Sequence, residues 1–457
     1  MSRNILGVKI ACVSWLVVSW SLSTASPSTA SADEPPFLAD GVKVGEVHQT
    51  SAIVWTRLCK APDYDPETFF IPGVQGEVRV AYWPRGAEDQ TVVTDWAANA
   101  PEDDYACQVP LTGLKPGTAY EFRLEARAEG NTNSLEGTFK TAYEPGEPAN
   151  VTFAVVTCQG FTTQDDGASG HLIYKTMLDH APDFFVHTGD VVYYDHPNPF
   201  AAKTVDEARA HWHRMYRYPN QRNFHRFVSS YFMKDDHDTL RNDCWPGQSA
   251  GELTFDQGLK IFRDENPMGE LTYRTIRWGK DLQLWLVEGR DYRSPNRMPD
   301  GPDKSIWGKR QMAWFQRTVE ASDAAVKILI SPTPVVGPDR EKGKSDNHSN
   351  KVFAHEGAML RKFLAEHEMF VINGDRHWQY VSVDPETGLW EFGTGAASNE
   401  HAGGYSEKLR KPQHRYLKIL GGYFLGTVER QGDDVLFTGR HFSPTGELRH
   451  EETLRRK

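Results

Sequence analysis

Beyond its first two dozen residues the sequence has no segment long and apolar enough to cross a bilayer, so chemistry carried out within transmembrane helices is excluded. It also lacks an excess of basic residues. Lys and Arg total 51 against 62 Asp and Glu, a formal charge of −11, and nucleic-acid phosphates select basic surfaces. Cysteines are few, five in 457 residues, and no internal repeat is evident. What is present is ordinary for a folded protein: 39% hydrophobic, 25% charged and 12% aromatic residues rule out wholesale disorder. The length exceeds a comfortable single core and predicts two domains.

The N-terminus reads as an export signal over residues 1–32. Arg3 and Lys9 precede and interrupt the apolar stretch "ILGVKIACVSWLVVSW", and "STASA" offers Ala30 and Ala32 in a small-x-small pattern. Cleavage there would remove two positive charges and no acid, leaving −13, and would place the protein outside the cytoplasm, secreted or periplasmic. Cys12 would leave with the signal. Cys59, Cys107, Cys158 and Cys244 then enter an oxidising compartment, where Cys59 and Cys107 can pair and Cys158 and Cys244 are bonded together or unpaired.

Residues 40–143 read as short strands of alternating polarity, the mark of sheets with one wet face. "LTGLKPGTAYEFRL" sets a Pro-Gly turn before Tyr120, as in the tyrosine corner of β-sandwiches, with Trp55 expected as the core aromatic. After the linker "EPGEPAN" the pattern changes. "VTFAVVTC", "GHLIYKTMLDH" and "PDFFVHTGD" form a strand-helix-strand unit, which demands parallel pairing, and residues 150–457 read as an α/β layered domain.

In open α/β sheets, ligands bind beyond the carboxyl ends of the strands. Here successive apolar runs end in groups able to hold a metal or an anion: Cys158 and Gln159, then Asp190 and Tyr193, then Arg290, Tyr292 and Arg293, then Asp375 and His377. "YFMKDDHDTLRND" adds Asp235, Asp236, His237 and Asp238. Thiolate and phenolate suit a trivalent or softer transition ion and carboxylates a hard divalent one, with Asp190 placed to bridge them. Two such ions can clamp a phosphoryl group, and arginines can neutralise its remaining oxygens.

The blocks "GDVVY", "DDHD" and "GDRH" resemble those of the calcineurin-like metallophosphatases, which carry GDxxY in the purple acid phosphatase branch. The set is most similar to the PhoD-like alkaline phosphatases and phosphodiesterases, and the resemblance covers nearly the whole mature chain. It implies a four-layer α/β/β/α metallophosphatase sandwich behind a fibronectin- or immunoglobulin-like β-sandwich. It further implies Cys158, Asp190, Tyr193 and His377 around Fe(III), and Asp190, Asp236 and Asp375, with Asp235, around Ca(II), other divalent metals being admissible. His237 stands where a leaving-group acid is usual, and Arg290 and Arg293, with Tyr292, would bind phosphate. Small phosphate esters are the implied substrates and a monomer the implied state.

The sequence departs from the pattern in three places. Glu288 and Gly289 replace an Asp-Thr pair, "WPGQSAGEL" is a local elaboration, and Asn242 offers an alternative to Asp236 where the superfamily carries an asparagine ligand. Two other readings compete. One is a secreted calcium- or matrix-binding protein without turnover. The other is a diesterase working at a lipid surface through an apolar rim of Trp245, Trp278 and Trp307.

Overall fold

The computed structural model describes residues 34–196, 200–340 and 346–456, so the segment read as an export signal lies outside the described residues. Two large sheets face each other. The first runs, in spatial order, Leu448–Arg456, Asp434–Phe442, Tyr423–Gln431, Val151–Val156, Phe184–His187, Ser229–Phe232, Val42–Gly45, Ser51–Arg57 and Ala106–Thr112. The second runs Arg274–Trp278, Leu282–Leu286, Val326–Ser331, Phe370–Asn373, Trp390–Thr394, Gln379–Val383 and His414–Lys418.

Alternation decides what each face does. Phe184 and Val186 point between the sheets, against Leu284, Ile328, Ile330 and Ile372, while Phe185 points outward onto Ile173, Tyr174 and Met177 of helix Ile173–Leu178. In the second sheet Leu284 and Leu286 point inward, and Trp285, Leu329 and Val371 meet Phe315, Leu360 and Leu364 of helices Gly308–Glu320 and Ala354–Glu366. Strands covered on both sides read as unbroken apolar runs, as these do. The layers are α/β/β/α, as expected.

The N-terminal strands form a sandwich, but it shares a sheet with the layers behind it. Val42–Gly45 pairs in parallel with Ser229–Phe232 and antiparallel with Ser51–Arg57, so one wall of the sandwich is the end of the first large sheet. Its other wall is Glu77–Pro84, Ala119–Ala128 and Asn131–Lys140. Val44, Val54 and Val109 meet Val80, Phe122, Leu124 and Phe139 in an apolar core continuous with that between the large sheets. The tyrosine corner is present: Lys115 N–H donates to the Tyr120 hydroxyl at 2.8 Å.

Trp55 does not occupy the sandwich core. Val54 takes the inward position, so Trp55 faces the opposite side, where its indole donates to the Asp264 carbonyl at 2.6 Å and Lys43 lies 3.9 Å above the ring. Nor do the cysteines pair: Cys59, Cys107, Cys158 and Cys244 all carry free thiols. Cys59 Sγ lies 3.2 Å from Arg57 Nη1, whereas Cys107 Sγ faces the Ala97 carbonyl at 3.6 Å.

Replacing Tyr120 with Phe leaves the Lys115 amide without its acceptor. It should destabilise the chain by about 1–2 kcal/mol in urea unfolding while leaving the distant strand-end site intact.

Candidate metal centre

Three parallel strands of the first sheet, Val151–Val156, Phe184–His187 and Ser229–Phe232, end on the same edge. The parallel strands Val326–Ser331 and Phe370–Asn373 of the second sheet bring their ends to it. A Thr157–Ala396 bridge and a 3.2 Å hydrogen bond from Asp375 N–H to Thr157 Oγ1 tie the two edges together. Gly374 allows this approach: a Cβ there would lie 2.3 Å from Thr188 Oγ1 and 2.6 Å from Thr157 Oγ1. Immediately past their strands, Cys158, Asp190 and Asp375 adopt left-handed backbone conformations, with φ of 52°, 56° and 61°. Non-glycine residues rarely take that region, and strain of this kind concentrates at functional sites.

Asp190 is the hub. Its Oδ2 accepts from Cys158 Sγ and from the Tyr193 hydroxyl, each at 3.3 Å, and that hydroxyl lies 3.5 Å from His377 Nε2. Three donor groups, each with its ligand atoms within 4.8 Å of one another, share Asp190: Cys158–Asp190–His377, Asp190–Asp235–Asp375 and Asp190–Asp236–His237. The structure therefore brings together all seven residues read as metal donors.

The electrostatics are those of a site built around cations. Burial pushes the Asp190 carboxyl well above the carboxylate range; Asp236, Asp238 and Asp375 push the same way, and His237 opposes them. Asp235 is raised likewise by burial, with Arg290 opposing. Burial also raises the Cys158 thiol and the Tyr193 phenol, and the Asp190 charge reinforces both shifts. Asp190 Oδ1 and Asp235 Oδ2 are buried with no hydrogen-bond partner among the described residues. Lone pairs left in that state are costly. Positive ions would remove the penalty, and the mixture of thiol, phenol, imidazole and carboxylates fits two ions of different hardness. The last acid of "DDHD" does something else. Asp238 accepts from the amides of Val191 and Asp235, at 3.0 and 2.6 Å, and so fixes two loops together.

A cavity of about 590 Å³ opens onto this edge, lined in part by Tyr193, His237, Asp375 and His377. His237 Nδ1 lies 2.6 Å from Asp195 Oδ1, and Asp195 Oδ2 accepts from the Asn242 amide at 2.8 Å. Asn242, Arg340 and His401 also line the cavity. His401 lies 2.9 Å from the Tyr193 hydroxyl through Nε2 and 3.0 Å from Thr163 Oγ1 through Nδ1. No strand-end pattern marks Arg340 or His401, because both arrive on irregular loops.

The three residues expected to bind phosphate do not line this cavity. Arg290 is wholly buried, its Nε donating to Asp235 Oδ1 at 2.5 Å and its Nη2 3.6 Å from Asp236. Arg293 turns to Asn296 Oδ1 at 2.8 Å and to the Asp346 carbonyl. Tyr292 is 39% exposed and packs edge-on to Tyr273. Neighbouring acids and carbonyls hold one side of each guanidinium, while Arg290 Nη1 and Nη2 and Arg293 Nη1 are buried with no hydrogen-bond partner among the described residues. Asn347 and His348 are buried against Asp339 and Glu356. His211, His213 and His225 are buried as well. Trp278 and Trp307 are buried in apolar cores, so no tryptophan rim forms.

Residues 153–420 match the family described as PhoD-like phosphatase, and residues 23–143 match that family's N-terminal domain. The chain belongs to the PhoD-like phosphatases. Alkaline phosphatase D of Bacillus subtilis (strain 168) is 24% identical over 333 residues, 63% of this chain and 54% of that protein, so the match spans about half the relative's length. A solved structure of PhoD superposes with a TM-score of 0.74 at 18% identity, covering 92% of this chain and 89% of that one. Purple acid phosphatase PPD1 from yellow lupin (Lupinus luteus) seeds gives a TM-score of 0.64 at 12% identity, covering 90% and 73%. At these identities the two structures bear on the fold.

If cations offset the crowding around Asp190, exhaustive chelation should lower the melting temperature. An ion supplied at a hundred times its Kd would restore about 2.7 kcal/mol. Asp190→Asn should bind less metal by elemental analysis and keep a native circular-dichroism spectrum. Unchanged metal content would remove Asp190 from the centre.

Proposed function

We propose that this PhoD-like phosphatase is an exported, metal-dependent phosphoester hydrolase, with an N-terminal sandwich at 40–143 and a catalytic unit at 150–457. The observation that carries the reading is the membership of Asp190 in three donor groups on one buried edge, beside an open cavity. Cys158, Tyr193 and His377 with Asp190 would hold Fe(III), and Asp236, Asp375 and Asp235 with Asp190 would hold Ca(II) or another hard divalent ion. Bound ions would supply Lewis acidity toward a phosphoryl oxygen and toward water.

The remaining roles fall to the chain's own groups. In the net reaction a water oxygen bonds to phosphorus as the bond to the leaving oxygen breaks, and that oxygen takes up a proton. His237 is the donor this geometry favours. Burial alone would lower its pKa; Asp236, Asp190 and Asp195 raise it, and with Asp190 and Asp236 given to the ions, Asp195 is the acid left to hold the ring protonated. Asp195 fixes Nδ1, which leaves Nε2 as the nitrogen for proton transfer. Arg340, at the cavity wall, is better placed than Arg290 or Arg293 to meet a substrate oxygen. Arg290 offsets part of the charge of Asp235 and Asp236. Export rests on the sequence of residues 1–32.

Purified protein supplied with iron and calcium should hydrolyse p-nitrophenyl phosphate or its bis ester, and absence of turnover on both would end the reading. A phenolate or thiolate on Fe(III) should colour the active enzyme, and a colourless, iron-free active preparation would overturn the first donor set. Proton donation by His237 makes a sharper prediction. Asp195→Asn should slow alkyl esters, whose leaving oxygen needs the proton, by about a hundredfold, within the usual range for general-acid catalysis. p-Nitrophenyl esters, which leave readily as anions, should slow far less. Equal losses on both would show that Asp195 serves only the fold.

A further inference from the structure

The cavity at the metal centre does not end at Arg340. That residue also lines a second cavity of about 620 Å³, whose wall includes Asp339, Lys351, Arg361, Lys411 and His414. Gly404 and Tyr405 continue the surface between the two, and the Tyr405 ring stacks on Trp378 of the first cavity at 4.9 Å. In a chain of net charge −11, the described residues of this second wall include four basic side chains and one acid. Arg361 Nη1 donates to the carbonyls of Val335 and His348, both at 3.0 Å, and its Nε lies 3.9 Å from Asp384, while Lys351 is exposed. Arg340, at the junction, has a buried Nε that lies 4.0 Å from Asp339 and makes no hydrogen bond to the described residues. Burial and the charges of Lys411 and Arg410 hold His414 neutral, which registers the positive field at this wall.

A small monoester has no use for such a wall, since the first cavity, at about 590 Å³, has room for one phosphate by itself. We infer that the second cavity is a subsite for an additional phosphate of the substrate, so that the enzyme favours esters carrying a second anionic group beyond the scissile one. This rests on the phosphoester-hydrolase reading and narrows its substrate class. Guanidinium and ammonium groups around a half-enclosed space bind phosphate through charge-assisted hydrogen bonds.

A matched pair of chromogenic esters tests this: thymidine 5′-(p-nitrophenyl phosphate) and the same compound bearing a 3′-phosphate. Both release the same leaving group, so only the added phosphate differs. The bisphosphate should show the higher kcat/KM by about fivefold, the scale of one or two partly exposed ion pairs. That advantage should shrink at high salt. Lys351→Glu with Lys411→Glu should abolish it and leave the kcat/KM for the singly phosphorylated ester within about twofold, as expected for charges outside the first cavity. Equal kcat/KM for the pair in the wild-type enzyme, or an advantage that survives the double substitution, would overturn the subsite while leaving the hydrolase reading standing. Turnover of p-nitrophenyl phosphate but of neither nucleotide ester would overturn the subsite alone, and no turnover of p-nitrophenyl phosphate, its bis ester or either nucleotide ester would overturn both.

Discussion

Repulsion among the groups around Asp190 is the constraint on which this molecule turns. Asp190, Asp235, Asp236 and Asp375 share one buried edge with a thiol and a phenol. Two unit charges about 4 Å apart repel by about 4 kcal/mol at an effective dielectric constant of about 20. Left alone, the cluster responds by taking up protons, the direction in which burial drives Asp190, Asp235, Cys158 and Tyr193. A fold does not assemble such a cluster by drift. It has to hold the acids together against their charge, and the backbone shows how.

Holding is done by the two sheets. The candidate donors stand two to six residues past strands locked on both faces by apolar packing, and three of them sit at left-handed kinks that turn the chain sharply off the strand. Gly374 lets the second sheet press against Thr157 and Thr188 of the first, and Gly189, at φ 115°, lets the Asp190 turn lie against the backbone of Lys234 and Asp235. Because Val42–Gly45 continues the first sheet, the sandwich braces the same edge from the far side. Stability spread through two continuous cores is what permits a costly centre at their rim.

The strand-end logic is legible in the sequence because it depends on local pattern. An apolar run followed by Gly-Asp or Thr-Cys places its polar group at a sheet edge wherever the strands are parallel, and the strand-helix-strand unit implies that they are. Strand ends and the acidic block between them carry all seven candidate donors. Facing and partner choice are not legible. Trp55 departs from expectation because alternation tells which residues share a face and not which face meets which core. The cysteines Cys59 and Cys107 lie in one region, but their thiols point at different neighbours. Arg290 and Arg293 do follow a strand, yet their direction is set by Asp235 and Asp346, which come from elsewhere in the sequence. Asp195, Arg340 and His401 stand on irregular segments, where no periodicity announces a role.

The pairing of Arg290 with Asp235 bears on how many ions the centre takes. With the proposed donors ionised, four carboxylates, a thiolate and a phenolate bring six negative charges. Arg290 and Arg376 return at most two, because Arg376, 2.6 Å from Asp375, also meets Asp339 at 2.8 Å and Asp346 at 3.0 Å. One divalent ion would then leave a buried deficit of at least two, which the interior does not tolerate without further protonation. A second ion would remove most or all of it. The buried arginines would therefore act on the centre indirectly: by cancelling carboxylate charge they lower the positive charge that the ions must bring.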